Sequence, residues 1–125
     1  NQRRTVASIL IIDDDKPIRN LLRRILEEDG HQIREAENGE RALILYREAP
    51  ADLVITDILM PERDGIEVIL ALTREFLDAR VIAMTGATGT LNALNVAKLF
   101  GARSIIQKPF TVEEIRRLVR FTLAH

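Results

Sequence analysis

Five polar side chains stand at the ends of short apolar runs. Asp13 and Asp14 follow residues 9–12, Asp57 follows residues 53–56, Thr85 follows residues 80–84, and Lys108 follows residues 104–107. Carboxylates crowded together repel one another, and the usual relief is a hard cation with oxygen ligands. Mg²⁺ (or Mn²⁺) suits a site with few carboxylates, because Mg²⁺ keeps several waters and completes its shell with phosphate oxygens. A lysine is a point charge that grips a phosphate oxygen, and a threonine hydroxyl serves another. A carboxylate beside a divalent cation can attack phosphorus and form an acyl phosphate. Such transfer needs positioning and charge neutralisation more than covalent machinery. Taken alone, Asp57 equally fits a residue that merely closes a loop, so the elements that carry these side chains decide the matter.

The stretch LVITDILMPERDG, residues 53–65, sets the pattern. Leu53, Val54, Ile55 and Thr56 show no helical period, as expected of a strand buried on both faces. Pro61 and Asp64-Gly65 mark the loop that follows. Residues 9–12 are a similar strand. Asp15 is placed to cap the next helix, and Pro17 sits in its first turn. Ile18, Leu21, Leu22, Ile25 and Leu26 give that helix one apolar face, with Arg19, Arg23, Arg24, Glu27 and Glu28 on or beside its wet side, and Gly30 stops it. Residues 31–36 are a short mixed strand, expected near the sheet edge. Asn38-Gly39 is a turn, residues 40–48 a helix ended by Pro50, and a further helix starts near Gly65. Residues 80–84 and 104–107 are strands. Between them a helix is expected over 91–100, closed by Gly101. Thr111 with Glu114 forms a capping box for a last helix carrying Ile115, Leu118, Val119 and Thr122. Strict alternation with short connections predicts a parallel sheet, with right-handed crossovers and helices on both faces. Every strand's carboxyl end then lies on one edge, where open α/β sheets bind ligands, and the five side chains converge.

The chain has 125 residues, 46% hydrophobic and 30% charged, which is globular rather than disordered composition. One domain is expected over 1–125, with an ordered core of about 8–123 and a loose arm over 1–7. A net charge of -1 supplies no global field for nucleic acid or anionic membrane. The absence of cysteine excludes disulfides and thiolate metal sites. No apolar run reaches membrane-span length and no signal-peptide core is present, so a soluble cytoplasmic domain is expected. The start at Asn1 without Met is expected to reflect trimming.

The ordered set Asp13-Asp14, Asp57, Thr85 and Lys108-Pro109-Phe110 resembles that of receiver domains of bacterial two-component response regulators, chemotaxis regulators included, over nearly the whole chain. The resemblance implies a flavodoxin-like doubly wound (βα)5 three-layer sandwich, a five-stranded parallel sheet of order 2-1-3-4-5. It implies that Asp57 accepts phosphate from the phosphohistidine of a sensor histidine kinase or a histidine phosphotransfer protein. It implies that Asp14, Asp57 and the backbone carbonyl of Leu59 ligate Mg²⁺, with Asp13 acting mainly through water, and that Thr85 and Lys108 bind the phosphoryl oxygens. A cis Lys108–Pro109 peptide, an effector protein or domain as output through the surface of the last two helices, and a homodimer on phosphorylation belong to the same expectation. Such a protein is a self-phosphorylating acceptor rather than a turnover enzyme, and touches neither nucleic acid nor membrane directly.

Two departures matter. Ile105 stands where relatives often carry an aromatic switch residue, which puts the threonine–aromatic form of the switch in doubt, although the 85–90 loop can still reshape the next helix and the last strand. Leu59 and Ala87 stand where some relatives carry polar groups that orient hydrolytic water, which predicts slow self-dephosphorylation.

Other residues have ordinary explanations. Asp15 and Asp64-Gly65 read as caps, His31 and His125 as surface histidines, Met60 and Phe110 as packing, Thr88 and Thr90 as loop caps. Arg116, Arg117 and Arg120 read as a solvated basic rim, with a partner-docking surface as the less favoured alternative. Three other functions compete. A phosphate-independent scaffold has no need of crowded carboxylates. An aspartyl-phosphate phosphatase would want an acid at Leu59. A flavin-binding domain would want a Ser/Thr/Gly loop where residues 13–16 are acidic.

Overall fold

A computed structural model describes residues 6–58, 65–86, 95, 97–98 and 100–125. The strands are β1 (Ser8–Ile12), β2 (Gln32–Ala36), β3 (Leu53–Asp57), β4 (Val81–Thr85) and β5 (Ser104–Gln107). The helices are α1 (Lys16–Glu28), α2 (Gly39–Glu48), α3 (Gly65–Glu75) and α4 (Val112–Ala124). The expected helix over 91–100 lies mostly outside the described residues; Asn95, Ala97 and Lys98 are helical.

All strand pairs are parallel and the sheet order is β2-β1-β3-β4-β5, as expected. Alternation along each central strand feeds two separate cores. Leu10, Ile12, Val54, Val81 and Ala83 pack toward α2 and α3, with Ala42, Leu43, Tyr46, Val68, Ile69 and Leu72. Ile9, Ile11, Leu53, Ile55, Ile82 and Met84 pack toward α1 and α4, with Leu22, Ile25, Leu26, Ile115 and Val119. Both faces are covered, which is why these strands read as continuous apolar runs. Strand β2 has one neighbour only, and of its residues Ile33 and Ala36 alone are buried.

Local signals account for the helix ends. Asn38 Oδ1 accepts from the Arg41 N–H at 2.8 Å, and Thr111 and Glu114 form the reciprocal capping box. Gly30 leaves α1 with φ +90°, a conformation that favours glycine. Asp15 occupies the α1 cap position, yet its side chain makes no capping bond. His31 corrects the surface assignment: it is buried, and its Nδ1 accepts from the Ala7 N–H at 3.1 Å. Arg116 is likewise not a free rim charge. It donates to Asp29 Oδ2 at 3.0 Å and Glu28 Oε2 at 3.1 Å, tying α4 to the end of α1.

Candidate functional site

The parallel sheet delivers the chemistry to one edge. Asp13 follows β1, its N–H bonded to the Ala36 carbonyl at 3.2 Å. Asp57 is the last residue of β3 and Thr85 the last of β4. Lys108 follows β5, and its N–H donates to the Thr85 carbonyl at 2.7 Å, which sets these two residues side by side. The Lys108–Pro109 peptide is cis, as the resemblance implied.

The side chains meet. Asp13, Asp14 and Asp57 each present an oxygen within 4.8 Å of the others. Lys108 Nζ donates to Asp13 Oδ2 at 2.9 Å and to Asp57 Oδ2 at 3.2 Å. Asp13 is fully buried, Asp57 nearly so, and Asp14 faces solvent. Burial pushes the Asp13 carboxyl above its ordinary range; Lys108 and the Asp15 N–H oppose that rise, and the Asp57 charge adds to it. Lys108 also loses solvation, which alone would lower its pKa, but hydrogen bonds and charge from Asp13 and Asp57 outweigh this and hold it above its ordinary value. The donor set is all hard oxygen, partly buried on one side and open through Asp14 on the other, and this fits a small hydrated divalent cation. Thr85 Oγ1 is buried and has no hydrogen-bond partner among the described residues, so its hydroxyl is available to a further oxygen. Leu59 and Ala87 lie outside the described residues, as do Met60, Asp64, Thr88 and Thr90.

Two supports of the site are not evident in the linear sequence. Gly65 begins α3 against the strand that ends in Asp57, its N–H on the Ile58 carbonyl at 3.2 Å. A Cβ there would collide with the Asp57 carbonyl oxygen and lie 2.6 Å from Ile58 Cα, so a close backbone approach, beyond any turn preference, demands glycine. Arg19, placed on the wet side of α1 by its spacing, turns inward. Its Nη1 donates to the Asp13 carbonyl at 2.6 Å and its Nε to Glu35 Oε1 at 3.1 Å.

The doubly wound sheet gathers acids, a hydroxyl and a lysine at its carboxyl edge, where sheets of this kind bind ligands. The family model described as "Response regulator receiver domain" matches residues 9–120. The chemotaxis protein CheY of Halobacterium salinarum is 43% identical over 102 residues, covering 82% of this chain and 84% of that protein. Sporulation initiation phosphotransferase F of Bacillus subtilis is 38% identical over 112 residues, covering 90% of each. The crystal structure of NtrX from Brucella abortus superposes with a TM-score of 0.91 at 27% identity, over 96% of this chain and 28% of that one. The chain belongs to the response regulator receiver domain family of two-component systems. Phosphorylation-based signalling, with histidine kinases upstream and output effectors downstream, is general to that family. No described helix is long and apolar enough to cross a membrane.

Proposed function

We propose that this chain is a phosphorylation-operated switch in which Asp57 takes a phosphoryl group, in a Mg²⁺-dependent reaction, from the phosphohistidine of a sensor kinase or a histidine phosphotransfer protein. The observation that carries the reading is the junction of Lys108 Nζ with both Asp13 and Asp57, with Asp14 beside them. An Asp57 carboxylate oxygen attacks phosphorus, the phosphorus–nitrogen bond of phosphohistidine breaks, and the imidazole leaves with the electron pair and regains a proton from solvent. Asp14, Asp57, the Leu59 carbonyl and, through water, Asp13 would hold the cation, which supplies charge neutralisation at the phosphoryl oxygens. Lys108 is already ordered toward Asp57 and meets a phosphoryl oxygen with little reorganisation. The Thr85 hydroxyl, which has no partner among the described residues, would serve a second oxygen. Residues 8–123 act as one unit. The surface beside β5 and the last helices then carries the change to an effector, without an aromatic at Ile105.

The test is intact-protein mass after incubation with acetyl phosphate or phosphoramidate and Mg²⁺, beside Asp57→Asn. A labile gain of about 80 Da, lost in the variant and without Mg²⁺, is expected, and it should outlast several seconds after the donor is removed. No gain in the unaltered protein would refute the reading and favour a phosphate-independent scaffold.

A further inference from the structure

The acid cluster is pinned from below by a network that spans three elements. Asp13 is held at several points: its N–H by the Ala36 carbonyl, its Oδ1 by the Asp15 N–H at 2.9 Å, and its carbonyl by Arg19 Nη1 at 2.6 Å. Arg19 is in turn oriented by Glu35 on β2, and Glu35 is shared with Arg23, whose Nη1 reaches Oε2 at 2.8 Å. Arg23 Nη2 closes the chain on the Ile33 carbonyl at 2.8 Å. The side chains of Arg19 and Glu35 are 13% and 22% exposed, so this is a partly desolvated pair rather than a surface contact. Arginine is suited to the place because its planar fork bonds a carbonyl and a carboxylate at once in fixed geometry.

We infer that Arg19, oriented by Glu35, is a positioning residue that holds the turn after β1 so that the Asp13 and Asp14 carboxylates face Asp57, and that it thereby sets the affinity of the site for a divalent cation. The inference rests on the proposed cation-dependent chemistry and adds to it residues that touch neither cation nor phosphate. Its sign separates it from simple electrostatics. A guanidinium beside an acidic site repels an incoming cation, so its removal should tighten binding if charge alone mattered. Loss of an outer support should weaken binding, by about tenfold as for other outer-sphere partners of metal ligands.

The experiment is a Mg²⁺ titration followed by amide shifts in two-dimensional NMR, for the unaltered protein, Arg19→Met and Arg19→Lys, with urea unfolding to show that each is folded. Weakening of about tenfold in Arg19→Met, and weakening also in Arg19→Lys, which keeps the charge but not the fork, is expected. Binding equal to or tighter than that of the unaltered protein in the folded variants overturns the inference; if Arg19→Met does not fold, Arg19→Lys decides by the same criterion. A cycle with Glu35→Gln isolates the second residue: its effect should vanish in the Arg19→Met background, and an effect that persists refutes the orienting role. If the unaltered protein shows no saturable Mg²⁺ shift, the proposed function itself fails, and this inference with it.

Discussion

Replacing Gly65 with alanine should test whether helix α3 is seated by backbone contact on the strand that ends in Asp57. An added Cβ would overlap the Asp57 carbonyl oxygen and stand 2.6 Å from Ile58 Cα and 2.9 Å from the Asp57 carbonyl carbon. Comfortable carbon contacts need about 3.5–4.0 Å, so something must give by about 1 Å, and every opposing atom is backbone. If α3 retreats, Val68, Ile69 and Leu72 lose contact with the sheet, although all are buried now. Overpacking of this kind costs about 1–3 kcal/mol, and alanine's helix preference over glycine returns up to about 1 kcal/mol. A net loss of about 1–2 kcal/mol is expected, which for a domain of this size lowers Tm by about 4–8 °C. Urea unfolding followed by circular dichroism would measure it through the midpoint at constant slope. If β3 yields instead of α3, the Asp57 carboxylate moves, and the rate of mass gain from acetyl phosphate falls while stability changes less. A Gly65→Ala variant as stable as the parent and phosphorylated at the parent rate would refute the close-packing argument.

Two further expectations follow from buried polar groups away from the site. Burial pushes His31 below its ordinary pKa of 6.5, partly opposed by the Asp29 charge, and its Nδ1 is engaged as an acceptor. The unfolded chain therefore binds the proton first, so the His31 contribution to stability is complete above about pH 6.5 and declines as pH falls below it; His31→Gln should flatten that part of the stability profile, and an unchanged profile would show that His31 does not cause it. Thr122 Oγ1 donates to the Leu118 carbonyl at 2.7 Å, which leaves it to accept from Ser104 Oγ at 2.8 Å in the buried joint between α4 and β5. Thr122→Val should cost about 1–3 kcal/mol through the stranded serine hydroxyl, while Ser104→Ala with Thr122→Val should recover part of it; additive losses in urea unfolding would exclude the coupling.

The architecture was legible because burial on both faces leaves a direct mark on strands such as Ile9 to Ile12 and Val81 to Ala83, and because Gly30, Thr111 and Glu114 have local reasons for their places. The site was legible for a related reason: parallel topology converts the positions of Asp13, Asp14, Asp57, Thr85 and Lys108 along the chain into proximity in space. What escaped depends on partners far apart in sequence. His31 follows a helix stop and carries no periodic signal, and only the Ala7 N–H makes it an interior acceptor. Arg116 meets Asp29 across 87 residues, so it read as a solvated charge. Asp15 was placed correctly as a cap, but its N–H serves Asp13 and its own carboxylate makes no capping bond. Arg19 shares its helical spacing with ordinary surface arginines, and its inward turn is decided by Glu35 on another strand.

The sheet order also divides the site mechanically. Asp13 and Asp57 are carried by β1 and β3, each clamped between two neighbours, whereas Lys108 extends from β5, which is held on one side only. The anionic half thus rests on strands held on both sides, and the cationic half on an arm extending from an edge strand. Ile105 and Ile106 tie that edge strand into the two hydrophobic layers, one on each face of the sheet. The acids and their counter-charge therefore differ in how they are supported, the former from both sides and the latter from the margin of the sheet.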